Sequence, residues 1–243
     1  MGKSWENDTK LFALAKRELF TAVVGDVMDK LGFQKQFLPP QIQPLAVDMV
    51  TIGRAMTVLE ADCYQESSSK PSSGTSPETT SDQKNPVMSK PFGLMFEALD
   101  DLKPNEIYIC TGASPTYALW GELMTVRAKI LEAAGAVVNG YARDTNEILT
   151  LDFPVFAYGS YAQDQGPRGK VIDYRVPIEI EGVRIQPGDI VFCDRDGVCI
   201  VPQAAEVEIF MAALEKARGE KTVKEAIENG MSASEAFATY GIM

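Results

Sequence analysis

The residues of this chain best suited to chemistry lie in two short segments that together would serve an anion and a divalent metal. In residues 120–124 (Trp-Gly-Glu-Leu-Met) a glycine precedes a helix-like run, and Arg143 and Asp144 follow an apolar strand-like run. The first N–H groups of a helix have no partners within it, and with the helix dipole they attract anions. Arginine binds a carboxylate through two parallel hydrogen bonds, and carboxylate oxygens suit hard cations. The pattern predicts that the backbone N–H groups of Leu123 and Met124 hold a carboxylate or a phosphate.

Each part of this pattern also has a plainer interpretation. Gly121 allows a ligand to approach the backbone closely, but it would equally serve as a turn before a surface helix. Glu122 would then stabilise the helix start by its charge. Arg143 and Asp144 would be an adjacent surface ion pair. Local sequence alone favours the plainer interpretation of Gly121, and an Arg-Asp dipeptide alone indicates little.

Two other acidic clusters are candidate ligand sites. The Asp-Arg-Asp-Gly at 194–197 resembles the first part of a calcium-binding loop, but the apolar run 198–201 follows where the remaining ligands belong. We therefore expect a hairpin-like turn there. Asp26 and Asp29 lie beside Gly25, and we expect them to cap or solvate helix ends.

Composition narrows the chemistry. The chain of 243 residues contains no histidine, and its 34 acidic and 23 basic residues give a formal net charge of −11. Without histidine the commonest general base and the usual zinc ligand are missing, so a metal would be held by oxygen, which favours magnesium, manganese or calcium. The acidic balance argues against nucleic-acid binding. An anionic substrate would therefore need a local positive charge.

The sequence also indicates a compartment. The polar segment 1–10 lacks the apolar stretch of a secretion signal, and no run approaches the roughly 18 apolar residues of a membrane span. None of the four cysteines forms a Cys-x-x-Cys pair, and Cys110, Cys193 and Cys199 lie in apolar strand-like runs. We therefore expect a cytoplasmic protein with buried thiols and no membrane partner.

The elements that must position the two segments follow from apolar periodicity. Helices are expected at 11–31 (split near Thr21 or Gly25), 92–102, 121–134 (ended by Gly135), from 147, and over 204–243 with breaks at Gly219 and Gly230. Strands are expected at 49–59, 106–111, 136–139, 155–158, 171–177, 178–180, 183–185, 190–193 and 198–201. The segment 64–86 is polar and of low complexity, so we interpret it as a mobile insertion.

These elements predict a mixed α/β fold. Helices and strands alternate in the middle of the chain, and the later strands read as antiparallel. We expect one α/β domain over residues 1–203 that contains the insertion at 64–86. The helical tail at 204–243 is long for an appendage, and we expect it to pack on a neighbouring subunit.

The spacing of the central motifs resembles a known family. Trp-Gly-Glu-Leu at 120–123, a helix, Ala-Gly-Ala-Val-Val-Asn-Gly at 134–140 and then Arg-Asp are similar to the signature of the RraA-like family. That family includes the 4-hydroxy-4-methyl-2-oxoglutarate and 4-carboxy-4-hydroxy-2-oxoadipate aldolases and the regulator of ribonuclease E activity. Segments 25–32, 187–191 and 194–202 match it as well, so the resemblance covers nearly the whole chain except the insertion.

The resemblance implies a swivelling β/β/α domain assembled as a homotrimer or a homohexamer, with sites between subunits. Aldolases of this family use magnesium or manganese and release pyruvate from small α-keto acids. The resemblance therefore implies a metal-dependent lyase that cleaves 4-hydroxy-4-methyl-2-oxoglutarate-like acids or decarboxylates oxaloacetate. The alternative is a non-catalytic regulator that binds a ribonuclease. A methyltransferase finds no support, because no glycine-rich nucleotide loop is present.

The resemblance also assigns roles to residues. Arg143 would bind the keto-acid end of the substrate, and Asp144 would ligate the metal directly. Glu122 would reach the metal through a water, although many aldolases of the family have aspartate there. The backbone of residues 121–124 would bind the pyruvate carboxylate. A glutamate of the neighbouring subunit would complete the site, with Glu220 the better match and Glu215 the weaker.

Overall fold

The computed structural model describes residues 5–64 and 86–241. The interior of the expected insertion at 64–86 lies outside these residues. The helices are α1 (Asp8–Glu18), α2 (Thr21–Lys30), α3 (Pro86–Ser89), α4 (Met95–Asp100), α5 (Glu122–Ile130), α6 (Thr145–Thr150), α7 (Glu206–Glu228) and α8 (Ala233–Tyr240). The strands are β1 (Gln43–Pro44), β2 (Thr51–Asp62), β3 (Glu106–Thr111), β4 (Ala118–Trp120), β5 (Gly135–Val138), β6 (Tyr141–Ala142), β7 (Val155–Ala157), β8 (Gly169–Tyr174), β9 (Ile178–Ile180), β10 (Val183–Ile185), β11 (Ile190–Asp194) and β12 (Gly197–Val201). The mixed α/β class is confirmed.

A mixed sheet organises the fold around the long strand β2. On one side β2 pairs in parallel with β3, and β5 and β7 continue the parallel ladder. On the other side β2 pairs antiparallel with β11 along its first half and with β8 along its second half. The antiparallel order expected for the later strands is therefore confirmed, and the β11–β12 hairpin forms the turn expected at 194–197.

Alternating side chains of the central strands divide the core between the two faces of the sheet. On β3, Tyr108 and Cys110 pack under α4, α5 and α6, whereas Ile107 and Ile109 pack on the opposite face with the β9–β10 hairpin. This period of two is the ordinary consequence of strand geometry. The face under α4, α5 and α6 is the one that leads to the two segments with candidate chemistry.

A third apolar cluster joins the N-terminal helices to the C-terminal tail. Ile209, Phe210 and Leu214 of α7 are buried against α1, α2 and the β11–β12 hairpin of the same chain. The tail is helical as expected, and its first half belongs to the fold of its own chain. Its packing on a neighbouring subunit, like the domain boundary at residue 203, stays a prediction.

Of the two expected split points of the first helical region, Thr21 is confirmed and Gly25 is wrong. The expected break at Gly219 and the expected helix end at Gly135 are also wrong. Gly25 does not split the first helical region but lies inside α2, where the Phe37 ring occupies the space of a Cβ, 2.5 Å from its ideal position. The division falls at Phe20, just before Thr21. Gly219 does not interrupt α7, since one glycine in a long helix costs only about 1 kcal/mol. Helix α5 ends at Ile130, and Gly135 begins β5 instead of ending that helix.

The first turn of α2 is held by the β11–β12 hairpin. Asp194 is buried and accepts hydrogen bonds from the backbone N–H and the hydroxyl of Thr21, both at 2.7 Å. Phe20, at the N-cap position, offers no side-chain acceptor. Asp194 is thus a capping residue supplied from another part of the chain. Among the described residues, no helix combines the length and apolar character needed to cross a bilayer.

Candidate functional site

A short parallel ladder brings the two candidate segments together. In the β4–β6 pair, Ala118 lies opposite Tyr141 and Trp120 opposite Ala142. The N–H of Arg143 then donates to the carbonyl of Trp120 at 2.9 Å. Because both strands end at the same edge, the helix start after β4 and the Arg-Asp pair after β6 become neighbours. Strand β4 was missed from the sequence, since three apolar residues carry no periodicity.

Gly121 is the N-cap residue of α5 and leaves the first amides of that helix without a side-chain cap. Its carbonyl accepts the N–H of Thr125 at 3.1 Å and the Thr125 hydroxyl at 3.0 Å. That hydroxyl in turn accepts the indole N–H of Trp120 at 2.7 Å. These bonds fix the turn while the N–H groups of residues 122–124 point away from the helix, as an anion site requires.

The absence of a side chain at Gly121 makes room for Asp144. A Cβ at Gly121 would lie 3.0 Å from Asp144 Oδ2 and 3.4 Å from Cγ of Arg143. The helix start and the Asp144 carboxylate are therefore in direct contact. A larger residue at 121 would push the carboxylate away, which gives this glycine a packing reason beyond a surface turn.

Asp144 itself adopts an uncommon backbone conformation. It lies in the left-handed region with φ 55° and ψ 34°, at the N-cap position of α6. Its carbonyl accepts the N–H groups of Glu147 and Ile148, both at 3.1 Å. Left-handed backbone at a residue other than glycine costs free energy and clusters at functional sites. The strained turn directs the Asp144 carboxylate toward α5 and away from its own helix.

Arg143 makes ion pairs with two carboxylates. Its Nε lies 3.3 Å from Asp144 Oδ2, and its Nη1 lies 2.6 Å from Asp164 Oδ1. Asp164 was missed by sequence reasoning. It comes from an irregular segment held beside the ladder, where Ala118 N–H donates to the carbonyl of Gln163 at 2.8 Å. No local pattern marks such a residue, because only the tertiary pairing brings it to Arg143.

These residues line one cavity of about 340 Å³, a size common for small-molecule sites. Its lining combines the Arg143 cluster and the start of α5 with apolar side chains: Phe92, Met95, Phe96, Leu99, Ala118, Leu119, Trp120, Gly121, Leu123, Met124, Arg143, Asp144, Asp164 and Gln165. The structure thus brings together Gly121, Leu123, Met124, Arg143 and Asp144.

The remaining expected site residues lie elsewhere. Glu122 is half-buried in the first turn of α5, beside the cavity in sequence but outside its lining. Glu220 lies on α7 and pairs with Lys216, which also pairs with Asp26 of α2 at 3.1 Å. Glu215 is exposed on the same helix. Their contribution to a neighbouring subunit's site stays a prediction.

The donor set fits a hard cation that keeps much of its own hydration. Among the described residues, no group of three or more carboxylate, cysteine or histidine side chains surrounds a common point. Asp144 supplies a carboxylate in the cavity wall, next to the free amides of α5. Magnesium is commonly held by one or two carboxylates together with water and substrate oxygens. The carboxylates of the described lining, Asp144 and Asp164, are donors of the kind that could hold such an ion.

A buried carboxyl group touches the cavity wall from behind. Glu60 is 2% exposed, and its Oε2 accepts the carboxamide N–H of the lining residue Gln165 at 2.7 Å. Glu60 lies on the same face of β2 as the buried Met56 and Val58, so the alternation of the strand directs its side chain into the core. Burial raises the pKa of Glu60 to about 8, and hydrogen bonds from Cys110 and Gln165 oppose that rise. Within the described structure, Oε1 of Glu60 has no hydrogen-bond partner.

Comparisons with known proteins point to one family. A family model described as RraA-like, Aldolase/RraA, matches residues 21–200. The protein DlpA of Legionella pneumophila is 28% identical over 90% of this chain, although the match spans only 32% of that protein's length. A protein of Halalkalibacterium halodurans, provisionally named a 4-hydroxy-4-methyl-2-oxoglutarate aldolase, is 29% identical over 59% of this chain and 68% of its own.

A solved structure shows the same fold. The crystal structure of RraAS2 from Streptomyces coelicolor, described as an unusual member of the RNase ES inhibitor RraA family, superposes with a TM-score of 0.71. It is 21% identical, and the match covers 90% of this chain and 98% of that one. At this identity the likeness establishes the architecture, and the swivelling α/β domain expected from the sequence is confirmed.

Proposed function

This chain belongs to the Aldolase/RraA family, and from that premise we propose that it is a divalent-metal-dependent lyase that releases pyruvate from α-keto acids. One observation carries the proposal: the open amides of α5, the Arg143 guanidinium and the Asp144 carboxylate meet in one cavity. A regulator that only binds another protein has no need of this arrangement. Relatives provisionally named as aldolases support the same activity.

The proposed reaction is retro-aldol cleavage of 4-hydroxy-4-methyl-2-oxoglutarate-like acids or decarboxylation of oxaloacetate. In the first, the C4 hydroxyl loses its proton, the C3–C4 bond breaks and its electron pair moves to C3. In the second, carbon dioxide leaves from C3 with the same result. Both reactions give the enolate of pyruvate, which takes up a proton at C3.

Different residues of the cavity would bind the substrate, stabilise the enolate and transfer protons. The amides of Leu123 and Met124 bind the carboxylate next to the keto group, and Arg143 holds the keto-acid end and offsets the negative charge that develops on the enolate oxygen. Since the chain has no histidine, a water oriented by Glu122, or by Glu220 of the partner subunit, carries the protons. Arg143 thus lies where negative charge develops on the enolate oxygen, and the water lies where the C4 hydroxyl loses a proton and C3 gains one.

Asp144 is the proposed direct ligand of Mg²⁺ or Mn²⁺. Glu122 would reach the ion through water, and Glu220 of the partner subunit would complete the set in a homotrimer or homohexamer. When bound, the cation supplies fixed positive charge beside the keto acid and so favours the enolate. Arg143, the helix start and the cation together make the local positive field that an acidic chain needs to attract a small anion.

Pyruvate release tests this function directly. The purified chain is incubated with 4-hydroxy-4-methyl-2-oxoglutarate or with oxaloacetate and magnesium or manganese, and pyruvate is followed with lactate dehydrogenase. We expect turnover that stops on chelation and returns when the metal is restored. Lack of pyruvate above the metal-only background with both substrates would overturn the proposal and favour the non-catalytic regulator.

A further inference from the structure

One side of the cavity is built from apolar side chains that the proposed function does not use. They come from α4 and the residues before it, from β4 and from the first turn of α5, and we call them the apolar wall: Phe92, Met95, Phe96, Leu99, Trp120 and Leu123. Three of them, Met95, Leu99 and Trp120, are buried in the core. The rings of Phe92 and Phe96 meet edge to face at 5.6 Å. The wall is therefore a packed surface continuous with the core.

The apolar wall directly adjoins the Arg143 ion pair. A Cβ placed on Gly166 would lie 2.7 Å from Asp164 Oδ2 and 3.3 Å from the ring of Phe92. Asp164 is the carboxylate that Arg143 contacts at 2.6 Å. A keto acid held at Arg143 and the start of α5 therefore has the apolar wall within reach of its other end.

The described part of the cavity offers no cation for a second carboxylate. Among the described lining residues Arg143 carries the only positive charge, and both Asp144 and Asp164 already pair with it. Outside the lining, Lys90 pairs with Glu97, Arg127 pairs with Asp100, and Lys170 is buried and donates to the carbonyls of Lys90 and Pro91. Arg168 donates through Nη1 to the backbone carbonyl of Asp164 at 2.9 Å. A carboxylate against the apolar wall would lose its hydration without a partner, which is costly.

We propose that, among the α-keto acids that this site cleaves, it prefers those whose far end is an alkyl or aryl group over those that end in a second carboxylate. This inference rests on the proposed function, because it concerns the second half of the same substrate. A matching compound is 4-hydroxy-4-methyl-2-oxohexanoate. Its C4 hydroxyl loses a proton and becomes the carbonyl of butanone as the C3–C4 bond breaks. The electron pair of that bond moves to C3, which takes up a proton, so the products are one pyruvate and one butanone.

A binding experiment separates the far end of the substrate from the chemistry. The two probes are 2-oxohexanoate and 2-oxoadipate, which have the same chain length and differ in a terminal methyl or carboxylate. Each is titrated into the full chain with magnesium by calorimetry. We expect 2-oxohexanoate to bind at least about tenfold more tightly, since an unpaired polar group strongly penalises a ligand. Equal affinity, tighter binding of 2-oxoadipate, or binding of neither would overturn the inference.

A pair of variants checks that the apolar wall causes the preference. Phe96 is 55% exposed, so its replacement does not disturb the core. Phe96→Arg places a cation on the apolar wall and is expected to strengthen 2-oxoadipate binding about tenfold. Phe96→Leu, the matched control, keeps the preference for 2-oxohexanoate. An unchanged ratio in Phe96→Arg would show that the far end does not lie against this wall.

Turnover then distinguishes this inference from the proposed function. Pyruvate formation is compared between 4-hydroxy-4-methyl-2-oxohexanoate, which yields one pyruvate, and 4-hydroxy-4-methyl-2-oxoglutarate, which yields two. A higher kcat/KM for the hexanoate supports both proposals. A higher kcat/KM for the oxoglutarate compound overturns the substrate preference and leaves the lyase intact. Tighter binding of 2-oxohexanoate without pyruvate from either compound overturns the lyase alone.

Discussion

Arg54 and Arg143 each pair with two carboxylates, yet the surroundings of the two clusters differ. Arg54 joins Asp8 of α1 to Glu206 of α7, and its side chain is 16% exposed. Arg143 joins Asp144 to Asp164 in the cavity, and its side chain is 37% exposed. One arginine with two carboxylates therefore occurs once in a largely buried contact between α1, β2 and α7, and once in a cavity open to ligands.

The two clusters also differ in how many nitrogens of the guanidinium group donate hydrogen bonds. Nε, Nη1 and Nη2 of Arg54 all donate, to Asp8, Glu206 and the carbonyl of Gly188. Arg143 donates through Nε and Nη1, and its Nη2 has no acceptor among the described residues. A saturated guanidinium fixes helices to a strand, whereas one with an open donor can accept a ligand. The comparison predicts opposite outcomes when each arginine is removed.

The largest effect is expected for Arg143→Ala. Pyruvate release should fall about 10³-fold, because the variant loses the fixed charge that favours the enolate. The free energy of unfolding should change by less than about 0.5 kcal/mol, since exposed ion pairs contribute little. Steady-state kinetics and urea denaturation measure the two quantities. Full activity in Arg143→Ala would remove this residue from the site, and Arg143→Lys should fall between it and the parent.

Arg54→Met should give the reverse result. The free energy of unfolding should drop by about 3 kcal/mol, because Glu206 is left largely buried without its partner. Turnover of the folded fraction should match the parent. Arg127→Met is the control, because Arg127 and its partner Asp100 have side chains that are 41% and 63% exposed, and a smaller loss is expected. Equal losses in the two variants would show that burial does not set the difference.

Sequence reasoning reached the Arg143 cluster only in part, and the reason is physical. Strand β3 and the hairpins have strong apolar patterns with turn residues, so they were predicted near their true bounds. Arg143 and Asp144 lie together in sequence, and a family motif marks them. Asp164 lies twenty residues on in an irregular segment, and only the β4–β6 ladder brings it to Arg143.

Glu60 escaped prediction for a different reason. The other charged residues of β2, Arg54 and Asp62, are at least partly exposed, and a charged residue in a strand suggests a solvent-facing position. Glu60 instead lies on the buried face with Met56 and Val58. Long-range capping by Asp194 was missed in the same way, because its partner Thr21 lies in the first helical region. Local patterns therefore predicted the elements, whereas the polar contacts between distant segments needed the structure.

The buried carboxyl of Glu60 makes the stability of the protein depend on pH, unlike the two arginine clusters. Burial raises the pKa of Glu60 to about 8 in the folded chain, above its usual value in the unfolded chain. The folded state therefore holds a proton that the unfolded state has lost, and stability falls as pH rises from about 5 to about 8 by about 1.4 kcal/mol per pH unit. Below pH 4 this contribution is fully present.

Glu60→Gln tests this pH dependence. The variant keeps an acceptor for Gln165 and cannot ionise. The difference in unfolding free energy between the variant and the parent should grow in favour of the variant as pH increases from 5.5 to 7.5. Urea denaturation at three pH values measures it, and all other titrating groups cancel in the difference. Parallel stability curves for the two proteins would contradict the burial of an ionisable proton at Glu60.

The smallest effect is expected for Asp164→Asn, and it decides which kind of cluster Arg143 belongs to. Asp164 is half-exposed and occupies Nη1 of Arg143, so a substrate carboxylate must compete with it. Removing its charge should lower KM for the keto acid about threefold with kcat unchanged, and the effect should shrink at high salt. An increase in KM would instead mean that Asp164 holds Arg143 in place, as Asp8 and Glu206 hold Arg54.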